Sequence, residues 1–115
     1  MGSRTNWTIV TTDNPDQNIH VYSHWDGEDG ENLLVNAVTV AMPRLNTGDI
    51  SYATRIIIDQ LTKDGRDEEV GYGINVGRYP QNEEEYQYKE VNLINKTITI
   101  GRQKFDLESY LGATI

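Results

Sequence analysis

The sequence predicts a single α+β domain: a mainly antiparallel sheet of about five strands with two helices packed on one face. Three observations carry this expectation. Residues 31–42 and 50–61 repeat their apolar side chains at helical spacing. Shorter β-branched or alternating stretches lie before and after them, separated by turn residues. Strands on both sides of a helical pair are satisfied most simply when the helices cover one sheet face.

Each element follows in chain order. Trp7 to Thr12 is β-branched and reads as the first strand. Asp13-Asn14-Pro15-Asp16 is dense turn chemistry. Ile19 to Trp25 reads as the second strand. Period-2 geometry puts Ile19, Val21, Ser23 and Trp25 on one face, and His20, Tyr22 and His24 on the other. Trp25 is then expected beneath the helices. The acidic loop Asp26-Gly27-Glu28-Asp29-Gly30 leads into a helix from Glu31, capped by Asp29 or Gly30. Leu33, Leu34, Ala37, Val38, Ala41 and Met42 form its apolar stripe, and Pro43 is expected to end it.

Asp49 caps a second helix whose stripe is Ile50, Ala53, Ile57 and Leu61. The run Ile56-Ile57-Ile58 also suits a strand, but the period and the cap favour a helix. Gly65 is expected as its C-cap. Val70 to Val76 reads as a strand, with Val70, Tyr72, Ile74 and Val76 on one face, and Arg78 to Glu85 as a polar loop. Tyr86–Leu93 and Thr97–Ile100 form a hairpin. A two-residue turn at Asn95-Lys96 would pair Leu93 with Ile98 and Val91 with Ile100. Phe105, Leu107, Tyr110 and Leu111 predict a short C-terminal helix or docked tail. Residues 1–115 read as one domain, with 1–5 expected to be flexible or tag-derived.

Composition narrows the chemistry. The 115 residues are 37% hydrophobic and 24% charged, with a formal charge of -8. A small core is feasible at that apolar content. The acidic balance opposes direct binding to nucleic acid, which needs cations to displace phosphate counterions, and docking on anionic membranes. It allows a basic partner. No stretch approaches the ~20 apolar residues of a membrane span. The chain has no cysteine, which excludes disulfides, zinc–thiolate sites and a cysteine nucleophile. These features and the lack of a secretory segment place the chain in the cytoplasm as an expectation.

The richest segment is His20-Val21-Tyr22-Ser23-His24-Trp25-Asp26, which holds both histidines and one of two tryptophans. Four residues apart on a helix, the histidines could share a metal. On a strand they stand more than ~13 Å apart, so no metal is assigned. His24-Trp25-Asp26 suits either a functional strand end, with Asp26 orienting His24, or plain packing and loop capping. Gly71-Tyr72-Gly73 lacks the spacing of a phosphate loop and reads as a place of close packing. Arg55 has Asp59 at i+4, which favours an intrahelical pair over an anionic ligand. No nucleophile motif is present, so no catalytic residue and no cofactor is assigned. The acids of residues 26–31 and Glu83-Glu84-Glu85 read as solvated loops, or as carboxylates mimicking nucleic acid.

Tyr22-Ser23-His24-Trp25-Asp26-Gly27, Arg55-Ile56-Ile57-Ile58-Asp59-Gln60-Leu61 and Gly71-Tyr72-Gly73-Ile74 occur in that order. The combination resembles small uncharacterised proteins of bacteriophages and some bacteria. Those proteins carry Tyr-Ser/Thr-His-Trp-Gly, Arg-Ile-x-x-Asp-Gln-Leu and Gly-Tyr-Gly-Ile segments, and the resemblance covers residues 19 to about 111. Asp26 departs from it by standing before Gly27. The resemblance implies a phage-type accessory protein acting in a bacterial host's cytoplasm, and it supplies no catalytic residue. If the three segments converge, His24, Trp25, Asp26, Arg55, Gln60 and Tyr72 form one ligand-binding surface.

The sequence therefore predicts a non-enzymatic accessory or interaction domain that binds a protein partner or itself. Two alternatives stand beside it. One is a small-ligand binder or enzyme using His24, Arg55 and Tyr72. The other is an acidic inhibitor that mimics nucleic acid.

Overall fold

The computed structural model describes residues 4–26, 28–80 and 88–114. The chain runs β1 (Thr5–Val10), β2 (Ile19–Ser23), α1 (Gly30–Asn46), α2 (Ile50–Thr62), β3 (Tyr72–Val76), β4 (Lys89–Asn92), β5 (Thr97–Ile100), β6 (Gln103–Asp106) and α3 (Leu107–Thr114). The strands form one sheet in the order β3-β2-β1-β4-β5-β6. The α+β class is as expected, but the sheet has six strands instead of about five. It is also mixed: β1 and β4 are parallel, while the other pairs are antiparallel.

The core follows from the period-2 pattern. Trp7, Ile9, Val21, Val91 and Ile98 are fully buried and pack in one cluster with Leu34, Val38 and Leu45 of α1 and Ala53, Ile57 and Leu61 of α2. Each large aliphatic side chain buried this way contributes about 1.5–3 kcal/mol. Leu107 and Leu111 of α3 join the same cluster, so the expected C-terminal helix is present. The opposite sheet face carries a polar row in register: Asn75, His20, Thr8, Glu90, Thr99 and Lys104.

Several local expectations need correction. Thr5, placed by the sequence in a flexible start, opens β1 and is fully buried. Pro43 does not end α1, which continues to Asn46. Proline removes one donor to the carbonyl four residues earlier, but Leu45 in the next turn is buried and holds that turn against the core. Gly65 is no left-handed cap. It lies in a short 3-10 turn, Lys63–Gly65, at the end of α2. Asp49 does cap α2, accepting a hydrogen bond from the Tyr52 amide at 3.2 Å.

The hairpin register also differs. Val91 pairs with Ile98 and Lys89 with Ile100, two residues from the expected alignment. The turn spans Leu93 to Lys96, and Lys96 takes the positive φ of 57°. Two constraints favour the wider turn. Asn92 Oδ1 accepts from the amides of Ile94 and Asn95, and the Leu93 amide bonds Val10 O while its side chain enters the core. β6 escaped the sequence reading because three of its four residues are exposed and polar, leaving Phe105 as its one apolar signal. Among the described residues, no helix is long and apolar enough to cross a membrane.

Candidate functional site

β2 ends at Ser23, and the chain turns there instead of continuing to Trp25. Ser23 Oγ makes the turn. It accepts from the amides of Trp25 and Asp26 at 3.2 Å each and donates to Asp26 Oδ2 at 2.7 Å. This is a short-range side-chain competitor to the strand ladder, and it stops β2. Trp25 is thereby thrown outward. It is 50% exposed, so the expected place beneath the helices is not where it lies.

What Trp25 rests on is glycine. A Cβ at Gly71 would stand 1.9 Å from Trp25 Cζ3, and Gly71 holds φ at +103°. Both the close approach and the backbone angle make a side chain there costly. Gly65 plays the matching part for Tyr72, since a Cβ there would stand 2.2 Å from Tyr72 Cε2. The rings then meet edge to face. Trp25 and Tyr72 have centroids 5.9 Å apart at 67°, and His24 and Trp25 are 5.9 Å apart at 85°. Such pairs add about 0.5–1.5 kcal/mol beyond area burial.

Polar contacts hold the aromatic group in place. Tyr72 donates its hydroxyl proton to Asp26 Oδ2 at 3.0 Å. Burial, the hydrogen bond to Asp26 and the Asp26 charge together push the Tyr72 hydroxyl above its ordinary pKa. The His24 amide donates to Gly71 O at 2.8 Å, and its Nδ1 lies 3.0 Å from the Tyr22 hydroxyl. Asp26 thus orients Tyr72 and not His24, the role that one of the two sequence readings gave it.

Four of the six sequence-derived site residues therefore gather: His24, Trp25, Asp26 and Tyr72. Arg55 is exposed on α2 and lines a groove of about 460 Å³ with Ser51, Thr54, Ile58 and Thr62. That groove shares Thr62 and Arg66 with the groove that Tyr72 and Ile74 line. The expected Arg55–Asp59 pair is replaced by Arg66–Asp59 at 2.7 Å. Gln60 stands half-buried on α2 between buried Ile57 and Leu61 and outside that groove's lining. Gly27 and the Glu83-Glu84-Glu85 run lie outside the described residues. Among the described residues, no three His, Asp or Glu side chains cluster to hold a metal.

His20 belongs to the structure's frame. It is fully buried, with Nδ1 2.9 Å from Thr8 Oγ1 and Nε2 2.7 Å from Gly77 O. A carbonyl only accepts, so Nε2 carries the proton. The ring ties β2 to β1 and draws the Gly77 carbonyl out of the ladder just past β3. Lys89 is a second buried polar group that the sequence did not single out. Its Nζ donates to Thr5 Oγ1 at 2.8 Å, burial lowers its pKa, and the Glu31 charge acts against that shift.

Next to the aromatic group runs β3, with apolar side chains that the sequence assigned to one face. That face holds Tyr72, Ile74 and Val76, yet Ile74 is 55% exposed and Val76 63% exposed, because the strand lies at the sheet's edge beyond the helix layer. An uncharged Tyr-Gly-Ile-Asn-Val strand entered through Asp67-Glu68-Glu69 and left through Arg78 was the signal available in the sequence.

No protein-family model matches this chain, and neither a curated protein nor a solved structure matches it.

Proposed function

We propose that this chain is a non-enzymatic interaction domain, of the phage accessory kind its sequence resembles, that binds a protein along the outer edge of β3. The contrast between the sheet's two edges carries this reading. Folded proteins blunt free strand edges with charges, proline or a cover, because unpaired backbone groups recruit other strands. β6 follows that rule, with Lys104 and Asp106 exposed in a four-residue strand. β3 carries neither charge nor proline and exposes Ile74 and Val76. Beside its first residue stands Trp25, half-exposed and held against Gly71 and Tyr72. Tryptophan and tyrosine dominate the residues that anchor protein interfaces, and here both are fixed before binding.

Addition of a partner strand uses main-chain hydrogen bonds for affinity and alternate side chains for choice. In this reading Asp26 and Ser23 are positioning residues: they set the turn and hold Tyr72, and they transfer no proton. The test is capture from a bacterial lysate with three immobilised proteins: wild type, Ile74→Lys and Val40→Lys. Val40 is exposed on α1, away from the edge. Proteins held by wild type and Val40→Lys but lost by Ile74→Lys are the expected result. The same set on all three would refute docking at β3.

A further inference from the structure

We infer that the strand which fits β3 is the β3 of a second copy of this chain, paired antiparallel about a two-fold axis through Ile74. This inference rests on the docking reading above and names its partner. Among the described residues, the ladder to β2 fixes which backbone groups of β3 are free. His24 N bonds Gly71 O, and Gly77 N bonds Asn18 O. In the observed register these are alternate members of one antiparallel series that includes Gly73 opposite Tyr22 and Asn75 opposite His20. Residues 73 and 75 therefore turn their amides and carbonyls toward β2, as do the Gly71 carbonyl and the Gly77 amide. Tyr72, Ile74 and Val76 turn theirs outward.

That outward set is symmetric about Ile74. Placing Ile74 opposite Ile74 of the second copy sets Tyr72 opposite Val76 and Val76 opposite Tyr72. Every outward donor then meets an outward acceptor. Shifting either way by two residues leaves one end of the set unpaired. The half-exposed side chains of Ile74 and Val76 come together on the helix side of the joined sheet.

Charge selects the direction. Asp67, Glu68 and Glu69 precede β3, all exposed, and Arg78 follows it, half-exposed and also paired with Asp16 at 3.1 Å. Antiparallel pairing brings the acidic entry of each copy beside Arg78 of the other. Parallel pairing would set acid against acid. A two-fold contact also closes on itself, and the edges left outside are the charged β6 strands. The strand is short, so the interface falls in the small, transient class and calls for measurement up to about 1 mM protein.

The experiment is sedimentation of wild type and Ile74→Lys over that range, with a thermal melt of each to show that both fold. The variant sets two like charges across the axis, and it should weaken association roughly ten-fold or more. Wild-type mass rising toward twice that of one chain, and lost in the variant, is expected. A second readout fixes the register. The chain has no cysteine, so Ile74→Cys introduces one thiol. A directly opposed pair lies ~5.5 Å apart at Cα, within disulfide reach. It should crosslink under mild oxidation faster than Val40→Cys. Equal crosslinking would overturn the register. Wild type that stays monomeric overturns self-pairing while leaving the lysate comparison to judge β3 docking. Association that Ile74→Lys does not weaken overturns self-pairing at β3, and docking of another protein there is still judged by the lysate comparison.

Discussion

Gly71→Ala probes the aromatic group at its tightest point. The new Cβ would stand 1.9 Å from Trp25 Cζ3, so the indole must leave its seat. The φ of +103° adds backbone strain of about 1–3 kcal/mol for a residue with a side chain. Displacing the indole forfeits its edge contact with Tyr72, about 0.5–1.5 kcal/mol. The total is about 1.5–4.5 kcal/mol. At about 4 °C per kcal/mol for a chain of this length, the midpoint should fall by roughly 6–18 °C. The Trp25→Ala background separates the two parts. There the collision is gone and only the strain of about 1–3 kcal/mol remains. Urea denaturation followed by circular dichroism reads all four proteins, and buried Trp7 supplies a fluorescence signal in both backgrounds. A cost below about 0.5 kcal/mol, or one unchanged by Trp25→Ala, would refute the packing argument.

Three further outcomes follow from the geometry. His20→Ala should cost about 1–3 kcal/mol in urea denaturation, since it strips partners from the buried Thr8 hydroxyl and the Gly77 carbonyl. Tyr110 donates to Glu31 at 2.5 Å, and burial with this hydrogen bond pushes its pKa from 10.0 up to about 12. The folded chain keeps that proton where the unfolded chain loses it. Its contribution to stability is therefore intact below pH 10.0 and fades as pH rises to about 12, and Tyr110→Phe should flatten that part of the profile. Pro43→Ala restores a helical donor within α1, so it should raise stability by about 1 kcal/mol or more in thermal melts.

The helices were legible because their burial is periodic and local. Leu34, Ala37, Val38 and Ala41 recur on one face, and Asp49 stands at the start of the next stripe. Strand faces were legible for the same reason, as Val21 and His20 show by pointing opposite ways. What the sequence hid was decided at long range. The parallel contact of β1 with β4 joins residues about 80 apart along the chain, and no local pattern records it. Pro43 misled because propensity competes with tertiary burial, and Leu45 wins. Trp25 misled because large aromatic residues usually pack inward. Here Ser23 breaks the strand two residues earlier, and Gly71 offers the ring a seat outside. The Gly71-Tyr72-Gly73 reading succeeded for Gly71 only, since a Cβ at Gly73 would meet open space. Edge exposure of Ile74 and Val76 depends on strand order, which the sequence left open.

Amide hydrogen exchange in β3 tests the central claim most directly. In dilute protein the amides of Gly73 and Asn75 face β2 and should exchange slowly, while those of Tyr72, Ile74 and Val76 face outward and should exchange fast. On association, at high protein concentration or with a captured partner, those three amides should become protected together. Protection appearing in the α2 groove near Arg55 while Tyr72, Ile74 and Val76 stay fast would contradict docking at this edge.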